Sequence, residues 1–326
     1  MSMNAVTNYA MLPTISRRVR AYFAPVDRVH QIPSIFDPSQ TGRFLLDAPP
    51  APWIDLGWIE NFARKSTSTI DALSSGLPSA TQYQIRETTG ATLSFCFKVW
   101  SKLTMALTAG SQHMNLIQPL NSSSANGSGT KGIAAVSAQT GSTATSIALN
   151  ATDTALFSPG SLVAVDADYA GQTGFVGSGV SAAYVRSTAS VNNDLDYIRR
   201  VTFNVARVSQ VSTAGLHLAQ PLLAGAPAAG MKVQPIVGFV DREGGSFFQE
   251  WSAVFVLPGE QGDRLIFHYP RLQAMQGAAE SGDALAAPLE RIALNASFRA
   301  LPVTDSNDGE HVVCFRSFLP GTMTLI

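Results

Sequence analysis

Charge is scarce in this chain. Only 22 Lys+Arg and 23 Asp+Glu occur among 326 residues, 14% of the sequence, where an ordinary soluble domain carries about 25%. The formal net charge is −1. A dedicated nucleic-acid binder needs a basic footprint, and this balance supplies none. Cysteine is scarcer still: Cys96 and Cys314 are the only two, too few for a disulfide framework. Both sit in apolar, strand-like runs (SFCFKVW and VVCFRSF) and read as buried thiols. Long hydrophobic runs are absent as well. No stretch approaches the ~18 apolar residues of a membrane span, so no membrane partner is expected. Residues 1–23 lack a basic-then-apolar block ending in a small-residue cleavage site. Synthesis in the cytoplasm is the expectation.

Apolar residues, by contrast, make up an ordinary 45%. With a net charge near zero, that fraction excludes an intrinsically disordered chain. The absent charges are replaced by Ser, Thr, Ala, Gly and Asn. The result is a core of normal size under a surface with little charge, as expected if much of that surface is buried against other copies of the chain.

Residues 1–52 carry Pro13, Pro25, Pro33, Pro38, Pro49, Pro50 and Pro52 and read as an extended N-terminal arm. A compact region follows from Trp53. Residues 82–87 and 93–99 read as two strands, with Thr88, Thr89 and Gly90 as the turn between them. Leu93, Phe95, Phe97 and Val99 alternate onto one face. Residues 101–108 (SKLTMALT) predict one short helix, with Ser101 as N-cap and Gly110 as the stop. A Ser/Gly linker occupies 121–132. Residues 133–235 hold short strands with frequent turns, the pattern of a small sandwich or barrel, and a second linker lies at about 222–235. Alternation then resumes in 247–257, 265–269 and 289–300. Asn307, Asp308 and Gly309 predict a hairpin turn. The expected fold is mainly β: one β-barrel or sandwich domain (53–120 plus 236–326) with one short flanking helix, interrupted by a second small β domain (133–235).

A search for chemistry returns little. His30, His113, His217, His268 and His311 are scattered, none at metal-ligand spacing. No metalloprotease, nucleophile-elbow or phosphate-loop motif occurs. Asp166, Asp168, Asp194 and Asp196 read as a solvated acidic loop, with a calcium site as the alternative. Glu280 and Asp283 read as loop charges. No catalytic residue, cofactor or metal is assigned, and an enzyme is not expected. The candidate contact residues between subunits are the aromatics Trp53, Trp58 and Trp251 and the arginines Arg291 and Arg299.

The order of elements resembles a known family. WIDLGWI (53–59) leads to a paired-strand segment, YQIRETTGATLSFCFKV, then the helix SKLTMALTAG, a long insert, and closing strands with FFQEWSAVFVL and LERIALNASFRAL. This arrangement resembles the tail tube proteins of tailed bacteriophages. The resemblance implies a homo-oligomeric virion protein whose rings, hexameric in that family, stack into a hollow tube. DNA would be transient cargo in the lumen, other tail proteins would be partners, and the protein would reside in the virion tail after synthesis in the host bacterial cytoplasm. A hundred-residue insert suits the outside of a non-contractile tail, where no sheath competes for space. A distal tail, connector or capsid-decorating protein is the alternative. A glycan-binding protein or glycosidase is the more remote one.

Overall fold

The computed structural model describes residues 18–26, 32–118, 133–166, 199, 201–243, 250–259, 262–275, 279–281 and 293–321. The fold is mainly β. In chain order the elements are β1 (Val19–Pro25), α1 (Pro38–Thr41), β2 (Ile54–Ser75), β3 (Ala80–Phe97), α2 (Lys102–Ala109), β4 (Gln112–Ile117), β5 (Val136–Ser137), β6 (Ser146–Ala148) and β7 (Leu162–Asp166). Then come β8 (Val205–Ser212), β9 (Gly215–Leu218), β10 (Lys232–Arg242), β11 (Glu250–Pro258), β12 (Arg264–Ala274) and β13 (Ala279–Ser281). The last are β14 (Ala293–Ala300), β15 (Val303–Thr304), β16 (His311–Val312) and β17 (Phe315–Leu319).

The larger sheet runs β13-β14-β3-β2-β1-β11-β12-β17, and β14 also pairs with β12. That extra pairing closes six strands, β14, β3, β2, β1, β11 and β12, into a barrel. β12 divides its outer edge: residues 264–268 pair with β17 and residues 272–274 with β14. Alternation fills the interior. Leu93, Phe95 and Phe97 from β3, Ala253 and Phe255 from β11, and Leu294, Ala296 and Phe298 from β14 share one core. Phe23 sits at its centre, with ring centroids of Phe97, Trp251, Phe255 and Phe298 between 5.7 and 6.5 Å away. Removing such a ring costs about 3–5 kcal/mol.

The described part of the expected arm, residues 18–26 and 32–52, is built into the barrel or packed on it rather than free; residues 1–17 and 27–31 lie outside the described residues. β1 is an inner strand of the barrel, between β2 and β11. Residues 32–53 fold as a strap over the barrel's outer face. Phe36, Phe44 and Trp53 from the strap cover Tyr22, Val254, Val256 and Ile266, and the Tyr22 hydroxyl donates to Leu46 O at 2.8 Å. β1 is buried on both faces, so VRAYFAP shows no alternation for the eye to find. Pro33, Pro38, Pro49, Pro50 and Pro52 belong to the strap, where no ladder needs their missing N–H, and Pro25 is the last residue of β1; Pro13 lies outside the described residues.

α2 forms as its caps dictate. Ser101 Oγ accepts from Thr104 N at 3.1 Å, Ser101 N donates to Thr104 Oγ1 at 2.8 Å, and Gly110 closes the helix in the left-handed region. The second sheet runs β4-β10-β7-β8-β9-β6, with β5 on β10, around its own core of Ile147, Val163, Val165, Val208, Leu216 and Val233 among others. Both β4 and all of β10 belong to this sheet, although 112–117 and 236–242 read in sequence as parts of the first domain. The expected turn at 307–309 is present between β15 and β16: Gly309 N donates to Asp305 O at 2.8 Å.

Candidate assembly surface

The strand pair expected around Thr88–Gly90 is built differently. β3 runs unbroken through Thr88, Thr89 and Gly90, which pair with Thr69, Ser68 and Thr67 of β2. The reversal lies earlier, at residues 76–79, where Gly76 takes φ +101. The product is a single long hairpin. Its root is inside the barrel wall, and residues 65–75 and 80–89 are exposed throughout. Eleven exposed residues of β2 at ~3.3 Å each carry the tip about 35 Å beyond the last buried positions.

Local chemistry explains how the ribbon leaves the barrel. Between Glu60 and Ala63 the register slips by a bulge, with Asn61 at φ +55. Asn is among the few side chains that tolerate that conformation, and a bulge increases local twist. Arg64 then anchors the root, its Nε donating to the Tyr269 hydroxyl at 2.8 Å while its guanidinium lies 5.0 Å over the Phe267 ring. Burial pushes the Tyr269 hydroxyl up to about 12, so it remains a neutral acceptor for Arg64. Farther out, hydroxyls bridge the strands: Thr69 to Thr88 at 2.5 Å and Ser74 to Thr81 at 3.2 Å.

The distal ribbon is almost uncharged, rich in Ser, Thr and Gln, and carries a few large exposed apolar side chains near its tip. From 66 to 85 the only charged residue is Asp71. Leu73 faces Tyr83 across the strands and Asp71 faces Ile85, so Leu73, Tyr83 and Ile85 share one side of the ribbon. Leu77 stands at the turn, fully exposed. A two-stranded hairpin alone in water is marginal at best, and open edges with exposed apolar side chains invite pairing.

The contact residues expected from sequence are placed unevenly. Trp251 lies in the barrel core and Trp53 under the strap, both buried within this one chain. They are therefore unavailable to a neighbour: the apolar faces that make them attractive contacts close on this chain's own barrel. Trp58 is half-buried, with Arg18 and Arg20 at 5.9 and 5.6 Å from its ring. Arg20 also pairs with Asp55 and, at 2.7 Å, with Asp47. Arg299 is exposed on β14, opposite Thr92 and Gln273. Arg291 lies outside the described residues. So do Asp168, Asp194, Asp196 and Asp283. No sustained apolar alternation marks the hairpin's tip in the sequence. The one signal available is the nearly charge-free stretch from 66 to 85.

Other polar groups are structural in their surroundings. Lys102 is buried where α2 meets β4, its Nζ donating to Asn115 Oδ1 at 2.7 Å and to Thr202 O at 2.5 Å. His113 stacks on Phe203 at 3.6 Å. Burial drives both groups' pKa values well down, and Lys102 pushes His113 further in the same direction. Burial raises both thiols, Cys96 and Cys314, which disfavours the nucleophilic thiolate. Among the described residues no group of three or more His, Cys, Asp or Glu could hold a metal ion, and no helix is long and apolar enough to cross a membrane. Compared with known proteins, the chain matches no protein-family model and no curated sequence.

Proposed function

We propose that this chain is a structural subunit that assembles with copies of itself, as the tube protein of a phage-type tail. The observation that carries this reading is the hairpin of β2 and β3, which stands about 35 Å clear of the barrel with an apolar, nearly uncharged tip. Such a ribbon gains stability from a partner surface, and a second copy is always available at the concentration of the first. The low charge of the whole chain supports the same reading, because identical subunits then repel one another weakly.

In this role the barrel is the repeating unit of a ring, and the hairpins tie one ring to the next. The second sheet decorates the outside of a non-contractile tube. The lumen passes DNA without holding it, since a near-neutral wall offers few phosphate contacts.

Electron microscopy of the purified protein, with sedimentation across a concentration series, tests the proposal. Stacked rings are the expected result, and their symmetry reports whether six subunits form each ring. Isolated single rings would favour the distal tail or connector role instead. A chain that stays monomeric at every concentration would sink both.

A further inference from the structure

We infer that the hairpin tip of one copy docks on the patch formed by Val99, Trp100, Val237 and Phe239 of the next. This rests on the self-assembly just proposed and names the surface that receives the hairpin.

The first argument is position. The tip lies at the start of β3 and Val99 and Trp100 lie just past its end. Eighteen strand residues separate them, roughly 60 Å along one strand. The two surfaces cannot meet within one chain. A head-to-tail repeat along the strand direction brings each tip to a neighbour's patch and leaves neither exposed inside the array. Such a heterologous contact propagates or closes into a ring.

The second argument is composition. Trp100 lies 6.4 Å from Phe239, centroid to centroid. Between Ile236 and Gly238 the ladder of β10 with β4 slips by a bulge, which leaves Val237 outside the pairing and 58% exposed. Val99 and Trp100 are 54% and 49% exposed. Residues 233–240 contain no charge, and neither do residues 72–85 of the tip. Beside Val99, the exposed Lys98 already pairs with Glu60, so the charge nearest the joint has its own counter-ion and the rest of the two surfaces is uncharged.

The third argument is area. On the tip, Leu73, Leu77, Tyr83 and Ile85 are 52%, 102%, 73% and 52% exposed, on the order of 500 Å² of mostly apolar surface. The patch adds about 300 Å². One joint therefore buries roughly 800 Å², short of the ~1,200 Å² of a stable pairwise complex. A dimer held by one joint is weak, while an array in which every subunit makes two is strong. Addition to an open array makes one such joint at a time, so assembly turns cooperative only where a subunit joins two neighbours at once, as in a closed ring or a ring stack. The patch draws Trp100 from the barrel side and Val237 and Phe239 from the second sheet, so docking also clamps the two sheets together.

Disulfide trapping tests the pairing in the full-length protein. Leu77→Cys protein is mixed with Val237→Cys protein and oxidised under assembly conditions. A second mixture pairs Leu77→Cys with Gln210→Cys, an exposed position on β8. Single variants report the background from Cys96 and Cys314. The expected result is at least ten-fold more cross-linked dimer in the first mixture than in the second. Equal yields, or equal dimer from Leu77→Cys alone, overturn the assignment. Rings or tubes of the wild-type protein seen beside equal yields would remove the receiving patch and leave self-assembly standing. A wild-type monomer at every concentration would remove both.

Discussion

Arg64 donates a hydrogen bond to the Tyr269 hydroxyl at 2.8 Å, joining the hairpin's first exposed turn of strand to the far side of the barrel. The pair spans 205 residues of sequence. It fixes the direction in which the ribbon leaves, because the bulge at Asn61 alone would permit a range of angles. Arg64→Ala leaves the largely buried hydroxyl without this donor and should cost about 1–3 kcal/mol. Calorimetry should show a lower Tm. Hydrogen exchange should show faster opening at residues 64–66, with the β12–β17 ladder unchanged.

His268 sets an acid limit. Its ring stacks on Phe315 at 5.9 Å and meets the edge of Trp53 at 5.5 Å, and burial lowers its pKa to about 4. The unfolded chain binds this proton below about 6.5, so the neutral native form loses stability as pH falls from about 6.5 to 4. The loss is on the order of 3 kcal/mol over that window. His113, also depressed by burial, adds to the same limb. His268→Phe should flatten part of the decline and leave the share due to His113. Denaturant titrations at pH 7, 5.5 and 4.5 measure both slopes.

The helix cap is a separable contribution. Ser101→Ala removes the acceptor for Thr104 N and should cost about 1 kcal/mol. Restoring an acceptor with Ser101→Asp should recover most of it. Thermal melts of the three proteins decide the matter.

Gly215 tests whether the second sheet stands alone. It has φ +147, and a Cβ there would lie 2.0 Å from Ile147 O, within the β6–β9 pairing. Gly215→Ala should open β6 and β9 and expose the Ile147 and Leu216 side of the second core. Protection in β11 and β14 should remain at its original level, as hydrogen exchange followed by mass spectrometry would report.

What could be read in advance follows from which faces are buried. Leu93, Phe95 and Phe97, and likewise Leu294, Ala296 and Phe298, alternate because each strand has one side in the barrel core. Ser101 and Gly110 bracket α2 because capping depends on residues within a single turn. The turn at Gly309 is equally local. The outer half of β2, STSTIDALSS, shows no apolar period because neither of its faces is buried. β1 lacks alternation for the opposite reason, with both faces covered. Trp53 and Trp251 look alike in sequence to any exposed aromatic, and only packing places them inside.

The amino-acid sequence by itself determined the β character, the capped helix α2, the local turns and the shortage of charge. These depend on neighbours a few residues apart or on totals over the chain. The tertiary structure alone decided the closure of β14 onto β12, the strap over Tyr22 and Val254, and the projection of the hairpin beyond Arg64. Each rests on contacts between residues far apart in the chain, and no local period encodes which distant face a strand will meet.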